Sequence, residues 1–300
     1  MDYPAAIARE KVLKGAIILA HYYQPQEIQA VADLVGDSLQ LAQAAQKSKA
    51  EVIVVCGVKF MAESAKILNP ERMVLMPEPD AGCPMADMVD AVGLRRLKAE
   101  HPGALVVTYV NSSAEVKAES DICCTSSNAF RVIDSLPWDQ EIIFCPDQNL
   151  GANIIKATGR EMILWAGYCP IHHRATPMDI VGMQELHPQA KVVVHPECPP
   201  AVVAMADAVL STAGILDYVH NSEASEFIIG TEVGLIKVLE QHNPGKHFYL
   251  AREDFYCPDM KIITLDRVYQ SLTAMITPVE VPLETSNRAR LALERMMAVG

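Results

Sequence analysis

The sequence lacks several features that would each indicate a class of protein. No Cys-x-x-Cys pair occurs among its eight cysteines, so the close ligand pairs of common structural zinc sites are absent. No apolar run approaches the roughly 18 residues of a membrane span. The start, Met1-Asp2-Tyr3-Pro4, has no basic region before an apolar core, unlike a signal peptide. We therefore expect a cytoplasmic protein whose cysteines are reduced, buried or metal-bound rather than paired in disulfides.

Basic residues are also scarce. The 25 Lys and Arg residues stand against 37 Asp and Glu, which gives a net charge of −12 at pH 7. This balance argues against nucleic acid or an anionic membrane as a partner. The apolar content of 50% and the charged content of 21% are ordinary for a globular protein. A chain of 300 residues can form one large domain or several small ones.

A threefold internal repeat organises the chain. The steps Cys83-Pro84, Cys169-Pro170 and Cys257-Pro258 are separated by 86 and 88 residues. Four features recur in the same order at this period, namely an opening β-branched run, a small-residue patch, a second strand-like run and a short run before the cysteine. They cover residues 16–20, 105–109 and 191–194, then 36–38, 125–127 and 211–213, then 52–56, 141–144 and 226–229, and finally 73–76, 162–165 and 247–250.

This repeat predicts an α/β protein of three homologous three-layer α/β/α domains, each with a short parallel sheet, about a pseudo-threefold axis. The expected units are residues 1–85, 86–171 and 172–258, followed by C-terminal helices over 259–300 that pack back on the body. Between the strand-like runs, helices are expected over residues 26–34, 39–47 and 86–100, among others.

The three periodic cysteines, Cys83, Cys169 and Cys257, would converge if the units pack about such an axis. Three thiolates suit an iron–sulfur cluster whose fourth iron is left open, and an open iron can act as a Lewis acid. The alternative is three buried structural cysteines. The other cysteines do not follow the period and are expected in the core; they are Cys56, Cys123, Cys124, Cys145 and Cys198.

Polar residues follow the opening strand of each unit in equivalent positions, two residues apart. These pairs are His21 and Tyr23, Tyr109 and Asn111, and His195 and Glu197. Functional groups of open parallel sheets gather at the carboxyl ends of the strands, so the six residues are interpreted as one site. The small-residue patches at Ser38, Ser126 and Ser211-Thr212 fall where helices begin, and their amides and hydroxyls could hold carboxylates or phosphate.

The motifs resemble those of the quinolinate synthase family over nearly the whole chain. The matching segments are residues 19–24 (LAHYYQ), 36–39 (GDSL), 60–70 (FMAESAKILNP), 109–112 (YVNS), 125–129 (TSSNA), 146–150 (PDQNL), 195–198 (HPEC) and 257–261 (CPDMK). The resemblance implies a three-domain α/β enzyme with a [4Fe–4S] cluster at the domain interface. The implied reaction condenses iminoaspartate with dihydroxyacetone phosphate to quinolinate, phosphate and two waters, a step of de novo NAD biosynthesis. The implied functional partner is an enzyme that supplies iminoaspartate, either aspartate oxidase or aspartate dehydrogenase.

The resemblance also assigns residues. Cys83, Cys169 and Cys257 match the cluster ligands. Glu197 and Tyr23 match proton-transfer residues, and His195 and His21 are further catalytic candidates. The matching substrate-contacting positions are His21, Ser38, Tyr109, Asn111, Ser126, His172, His195, Glu197, Ser211 and Thr212.

Three positions depart from the family pattern. Lys59 stands where His or Asp is expected, and Ala213 replaces an expected glycine. Met260 stands three residues after Cys257, at the position where some members carry a second cysteine. A disulfide switch at this position is therefore excluded. Two other functions stay open, an iron–sulfur hydro-lyase acting on another substrate and an electron carrier with no substrate.

Overall fold

The computed structural model describes residues 1–299, in which strands and helices alternate. The strands are β1 Ala16–His21, β2 Leu34–Gly36, β3 Val52–Cys56, β4 Met73–Leu75, β5 Leu105–Tyr109, β6 Ile122–Cys124, β7 Ile142–Cys145, β8 Ile163–Leu164, β9 Lys191–Val194, β10 Ala208–Val209, β11 Glu226–Gly230 and β12 His247–Leu250. The helices are α1 Tyr3–Lys14, α2 Gln26–Val31, α3 Ser38–Lys47, α4 Lys59–Leu68, α5 Ala91–Glu100, α6 Ala114–Ala118, α7 Ala129–Ser135, α8 Gln148–Thr158, α9 Pro177–Leu186, α10 Pro200–Val203, α11 Thr212–Asn221, α12 Gly234–His242, α13 Leu265–Ala274 and α14 Leu283–Val299. Within this part of the chain, no helix is both long enough and apolar enough to cross a membrane.

The twelve strands form three four-stranded parallel sheets with one topology. Their strand orders are β2-β1-β3-β4, β6-β5-β7-β8 and β10-β9-β11-β12, so each unit places its first strand between its second and third. All pairings within the sheets are parallel. The predicted α/β fold with three repeated α/β/α units is confirmed. All strands of each sheet fall inside one of the ranges 1–85, 86–171 and 172–258, and the exact domain limits stay a prediction.

The central strands are apolar on both faces because helices cover both sides of each sheet. In β1, Ile18 and Ala20 point into a cluster with Ile7 of α1 and Val268 of α13. Leu19 points the opposite way, into the large core shared by the three units. This alternation explains why the run from Ala16 to Ala20 has no polar position.

In each sheet, an aspartate just before the edge strand forms hydrogen bonds to the backbone of the neighbouring first strand. Asp33 Oδ2 accepts a hydrogen bond of 2.7 Å from the Ile18 amide, and the Asp33 amide donates to the Ile18 carbonyl. Asp121 pairs in the same way with Val106, and Asp207 pairs with Val192. The aspartates are 88 and 86 residues apart, so they form a further marker of the repeat.

Two of the expected helices differ in the structure. The helix predicted over 26–34 ends at Val31, because Asp33 turns the chain into β2. The helix predicted over 86–100 is a short 3₁₀ turn at Ala86–Met88 followed by α5. Asp90 separates the two, since its side chain accepts from the Gly93 amide and caps α5.

Both C-terminal helices pack on the body. Helix α13 lies against α1, where the Tyr3 hydroxyl donates to Asp266 Oδ1 at 2.7 Å. Helix α14 lies across α4, α6, α7 and β6, and so covers parts of the first two units. Arg288 of α14 contacts the largely buried Glu119 at 3.0 Å, which fixes this helix to the second unit.

Candidate active site

One cavity of about 200 Å³ receives side chains from all three units. It lies where the first strands of the three sheets end, so the residues after β1, β5 and β9 face one another across it. The expected site residues that line it are His21, Tyr23, Ser38, Cys83, Tyr109, Asn111, Ser126, Cys169, His172, His195, Glu197, Thr212 and Cys257. Ser211 is the one expected residue outside this lining. It is the N-cap of α11 and directly precedes Thr212 in the chain.

Glu197 is a buried carboxylate of the cavity, and both of its oxygens have protein partners. The Tyr109 hydroxyl donates to Glu197 Oε1 at 2.6 Å, and His172 Nδ1 lies 2.7 Å from Glu197 Oε2. Burial favours the neutral carboxyl, but nearby His195 and His172 and the hydrogen bonds from His172 and Tyr109 outweigh it and hold the pKa of Glu197 below its usual range. The carboxylate is 3% exposed and is therefore a charged group held by protein donors rather than by bulk water.

A threonine that sequence reasoning overlooked connects Tyr23 to Glu197. The hydroxyls of Tyr23 and Thr231 are 2.7 Å apart, and Thr231 Oγ1 lies 2.9 Å from His172 Nε2. His172 then reaches Glu197 through its other ring nitrogen. A continuous hydrogen-bonded path therefore runs from the strand end of the first unit to that of the third. Thr231 directly follows β11, so its place at a strand end was the available signal.

The phenols of the site, Tyr23 and Tyr109, are buried. The Tyr23 hydroxyl also lies 3.0 Å from Thr212 Oγ1. Burial raises the pKa of Tyr23 well above its usual value, and burial together with the adjacent Glu197 does the same to Tyr109. Both groups are therefore protonated donors at neutral pH. Tyr109, and not Tyr23, is the phenol in direct contact with Glu197.

The histidines His21 and His195 are neutral. Burial lowers the pKa of His21 to about 3, and nearby Lys261 and His195 add to the shift. Burial likewise lowers the pKa of His195 to about 3. Each ring can therefore accept as well as donate a hydrogen bond. The Nδ1 atom of His21 accepts from the Tyr23 amide, which leaves the other nitrogen for the cavity.

The small-residue patches of the three units meet at one serine. Ser127 Oγ donates to Asp37 Oδ2 at 2.6 Å and lies 2.9 Å from Ser211 Oγ. Asp37 caps α3 through the Gln40 amide, which places Ser38 in the first turn of that helix. This contact brings Ser38, Ser126 and Thr212 to the same wall of the cavity.

Asn111 offers a polar atom that the protein leaves unused. Its Oδ1 is buried and has no hydrogen-bond partner, although the residue lines the cavity. A buried acceptor without a partner costs free energy unless a ligand or water supplies the donor. This atom is therefore available to a bound molecule.

The three periodic cysteines line the cavity as free thiols of intermediate exposure. Burial raises the pKa of Cys83 to about 12 and that of Cys257 to about 11, and it also raises the pKa of Cys169. The three thiols are close enough for charge on one to disfavour charge on its neighbours. A bound metal group would remove this cost by taking the thiolates as ligands. The five cysteines off the period are buried, as expected.

Cys169, His172 and Glu197 also form a group whose ligand atoms lie within 4.8 Å of one another. Two ligands of one tetrahedral metal ion, each about 2.0–2.1 Å from it, are roughly 3.3 Å apart. His172 Nδ1 and Glu197 Oε2 are only 2.7 Å apart, which is a hydrogen-bond distance. The donor set that suits a metal group is therefore the three thiols, with His172 and Glu197 beside it.

Of the three departures from the family pattern, Lys59 and Ala213 lie outside the cavity lining and Met260 belongs to it. Lys59 begins α4 with its side chain exposed. Met260 is buried, and its sulfur accepts from Gln24 Nε2 at 3.5 Å. Ala213 lies in the first turn of α11, where the Gly214 amide still donates to Ser211.

Three α/β units that direct thiols, histidines and a buried carboxylate into one cavity define an α/β enzyme whose cavity carries metal-ligating side chains. A family model described as quinolinate synthetase A protein matches residues 5–298. The chain belongs to the quinolinate synthetase A family.

Curated relatives support the assignment over the full length. Quinolinate synthase 1 of Methanosarcina acetivorans is 53% identical over 298 residues, which cover 99% of this chain and 98% of the relative. The quinolinate synthase of Pelobacter propionicus is 52% identical, covering 95% of this chain and 94% of the relative. That of Dehalococcoides mccartyi is 53% identical, covering 98% and 97%.

Proposed function

We propose that this enzyme condenses iminoaspartate with dihydroxyacetone phosphate to quinolinate, phosphate and two waters, as a step of NAD biosynthesis. The observation that carries the proposal is the meeting of three thiols and the Glu197 hydrogen-bond network in one cavity. Family membership supports it, since the curated relatives are quinolinate synthases.

The proposed cofactor is a [4Fe–4S] cluster held by Cys83, Cys169 and Cys257. Three free thiols of intermediate exposure on one cavity match a cluster with three protein ligands, and the cavity lies on their open side. When bound, such a cluster supplies an open iron that polarises an oxygen-bearing leaving group. We assign no metal role to His172, because its ring nitrogens are engaged by Glu197 and Thr231.

Both proposed substrates are anionic, and the cavity wall offers polar groups for them. The first turns of α3 and α11 present Ser38 and Thr212, beside Ser126. Helix N-termini favour negative charge, so this wall suits the carboxylates or the phosphate. The unpartnered Asn111 Oδ1 suits a donor such as a substrate N–H or hydroxyl. The neutral rings of His21 and His195 offer further nitrogen atoms for hydrogen bonds to the substrates.

Glu197 and Tyr23 are proposed to move protons, with His21 and His195 assisting. A carboxylate ionised at neutral pH can act as a general base toward a carbon or nitrogen acid of the substrate. A protonated phenol can donate to a developing oxyanion. The path through Thr231 and His172 joins these two groups and allows a proton to be shared between them.

The cellular setting is part of the proposal. Iminoaspartate would come from an aspartate oxidase or an aspartate dehydrogenase, in the cytoplasm. Nucleic acid and membranes are not proposed partners, because the net charge is −12. The proposed domain limits remain 1–85, 86–171 and 172–258, with 259–300 as the C-terminal helices.

The test is turnover by anaerobically reconstituted protein with both substrates, one substrate alone, or neither. Quinolinate formed only with both substrates supports the condensation. A parallel assay supplies a hydroxy acid, and its dehydration in a protein that forms no quinolinate would instead support a hydro-lyase. Reversible reduction of the cluster with no turnover of any kind would support an electron carrier.

A further inference from the structure

Acidic side chains accept hydrogen bonds from the loops that carry the cysteines, and none of these side chains was assigned a role from the sequence. Glu232 Oε1 accepts the Cys257 amide at 3.1 Å, and Asp147 Oδ2 accepts the Cys169 amide at 3.1 Å. Asp147 is fully buried, and Glu232 is 1% exposed. In the first unit, Asp259 Oδ1 accepts the Gly82 amide, next to Cys83, at 3.1 Å.

Asp147 and Glu232 are equivalent positions of the repeat. Each stands two residues after the third strand of its sheet, β7 or β11, and they are 85 residues apart. The same position in the first unit is Val58, which has no polar side chain. There the carboxylate comes instead from Asp259, two residues beyond Cys257, so the first and third cysteine loops are joined.

Glu232 also reaches the first unit. Its Oε1 lies 2.8 Å from Lys261 Nζ, and that ammonium group donates to the Tyr23 carbonyl. Glu232 Oε2 accepts from the Gly234 amide at 2.7 Å, so both oxygens are used. One carboxylate thus fixes the Cys257 loop relative to the strand end that carries Tyr23.

We propose that Asp147 and Glu232 are positioning residues that fix the Cys169 and Cys257 loops for joint ligation of one cofactor. Neither side chain is a ligand, since their oxygens are occupied by backbone amides and Lys261. The cofactor part of this inference rests on the proposed function, whereas the holding of each loop does not. One such hydrogen bond contributes about 1 kcal/mol net. Its loss should therefore raise the population of the released loop about fivefold.

The experiment compares Glu232→Ala and Asp147→Ala in the full chain. Without iron, iodoacetamide labelling followed by peptide mass spectrometry gives a rate for each cysteine. We expect Cys257 to react about fivefold faster in Glu232→Ala with Cys169 unchanged, and the reverse in Asp147→Ala. General destabilisation would raise both rates in both variants and would overturn the proposal, as would no change.

The reconstituted protein gives a second readout. Iron loss to a chelator, followed by visible absorbance, should be about fivefold faster in both variants than in the wild type. The matched control is Glu240→Ala, which breaks the exposed pair with Lys237 on α12 and should change neither rate. If an alanine variant fails to fold, Glu232→Leu paired with Lys261→Met removes the acceptor without leaving an uncompensated buried charge, and it should still speed Cys257 labelling and iron loss. A wild type that binds no iron would refute the proposed cofactor, while the labelling pattern would still decide the role of the two carboxylates.

Discussion

The Tyr109 hydroxyl donates a 2.6 Å hydrogen bond to Glu197 Oε1, and this bond joins the first strands of the second and third sheets at their carboxyl ends. It acts together with nearby His195 and His172 to hold the pKa of Glu197 below its usual range although the side chain is only 3% exposed. The same contact fixes the direction in which the other carboxylate oxygen points, toward His172.

Replacing Glu197 by Gln keeps the shape of the side chain and removes its basicity. Because loss of a general base costs about 10²–10⁴-fold in rate, we expect kcat to fall by that factor. Tyr23→Phe should lower kcat by a smaller factor, since His172 and Thr231 stay in contact. Steady-state kinetics at equal cluster content measure both effects, and a near-normal kcat in Glu197→Gln would refute its proton-transfer role.

Asn111→Ala and Ser126→Ala should weaken substrate binding. Each removes one polar contact, and a contact equally strong in the ground and transition states affects KM more than kcat. We expect KM to rise about tenfold, as for one lost hydrogen bond to a charged group. Asn221→Ala, on the exposed side of α11, serves as the control. A lower kcat at unchanged KM in Ser126→Ala would show that this hydroxyl takes part in the chemical step.

Replacement of Cys83, Cys169 or Cys257 by Ser should abolish the visible thiolate-to-iron absorbance of the reconstituted protein, because each is proposed to supply one ligand. Cys56→Ser and Cys145→Ser serve as controls, since both thiols are buried in the core. Their spectra should match the wild type wherever the variant folds. A complete cluster spectrum in Cys169→Ser would contradict the assignment of ligands.

The stability of the cluster-free protein should fall on the acid side of neutrality. His21 has a pKa of about 3 in the folded protein, against about 6.5 when unfolded. The unfolded chain therefore binds more protons below pH 6.5, and stability is fully present above that value. Between these two pKa values, each such histidine lowers the free energy of unfolding by up to about 1.4 kcal/mol for every unit that the pH falls.

Urea unfolding at a series of pH values measures this slope. His21→Asn should make the decline with falling pH less steep, whereas His247→Asn, at an exposed position, should leave it unchanged. An identical slope in His21→Asn and in the wild type would show that this ring is not held neutral.

The repeated strand-like runs and the polar pairs at the ends of the opening strands could be predicted because both follow from the repeat, whereas the order of the strands within each sheet was not predicted. His21 and Tyr109 end their strands, and His195 directly follows the equivalent strand, so all three lie at the carboxyl ends where functional groups of parallel sheets gather. The edge strands β2 and β6 were missed, because three residues give no periodicity and the sequence before them continues a helical pattern.

The network that surrounds Glu197 could not be predicted in full. Thr231 and Glu232 follow β11 as ordinary loop residues, and only the packing of the third unit against the first shows their contacts with Tyr23 and Lys261. Partners that are 208 residues apart in the chain leave no local signal. By contrast, the meeting of Cys83, Cys169 and Cys257 at one cavity could be predicted, because their regular spacing places each at the equivalent position of its unit.

The central claim is tested most directly by titrating the anaerobic protein with iron and sulfide while measuring quinolinate formed from iminoaspartate and dihydroxyacetone phosphate. We predict that the rate rises with bound iron and levels off at about four irons per chain, as for one cubane cluster. Quinolinate formation at full rate by the iron-free chain would contradict this account, and so would its complete absence from a chain with a full cluster spectrum.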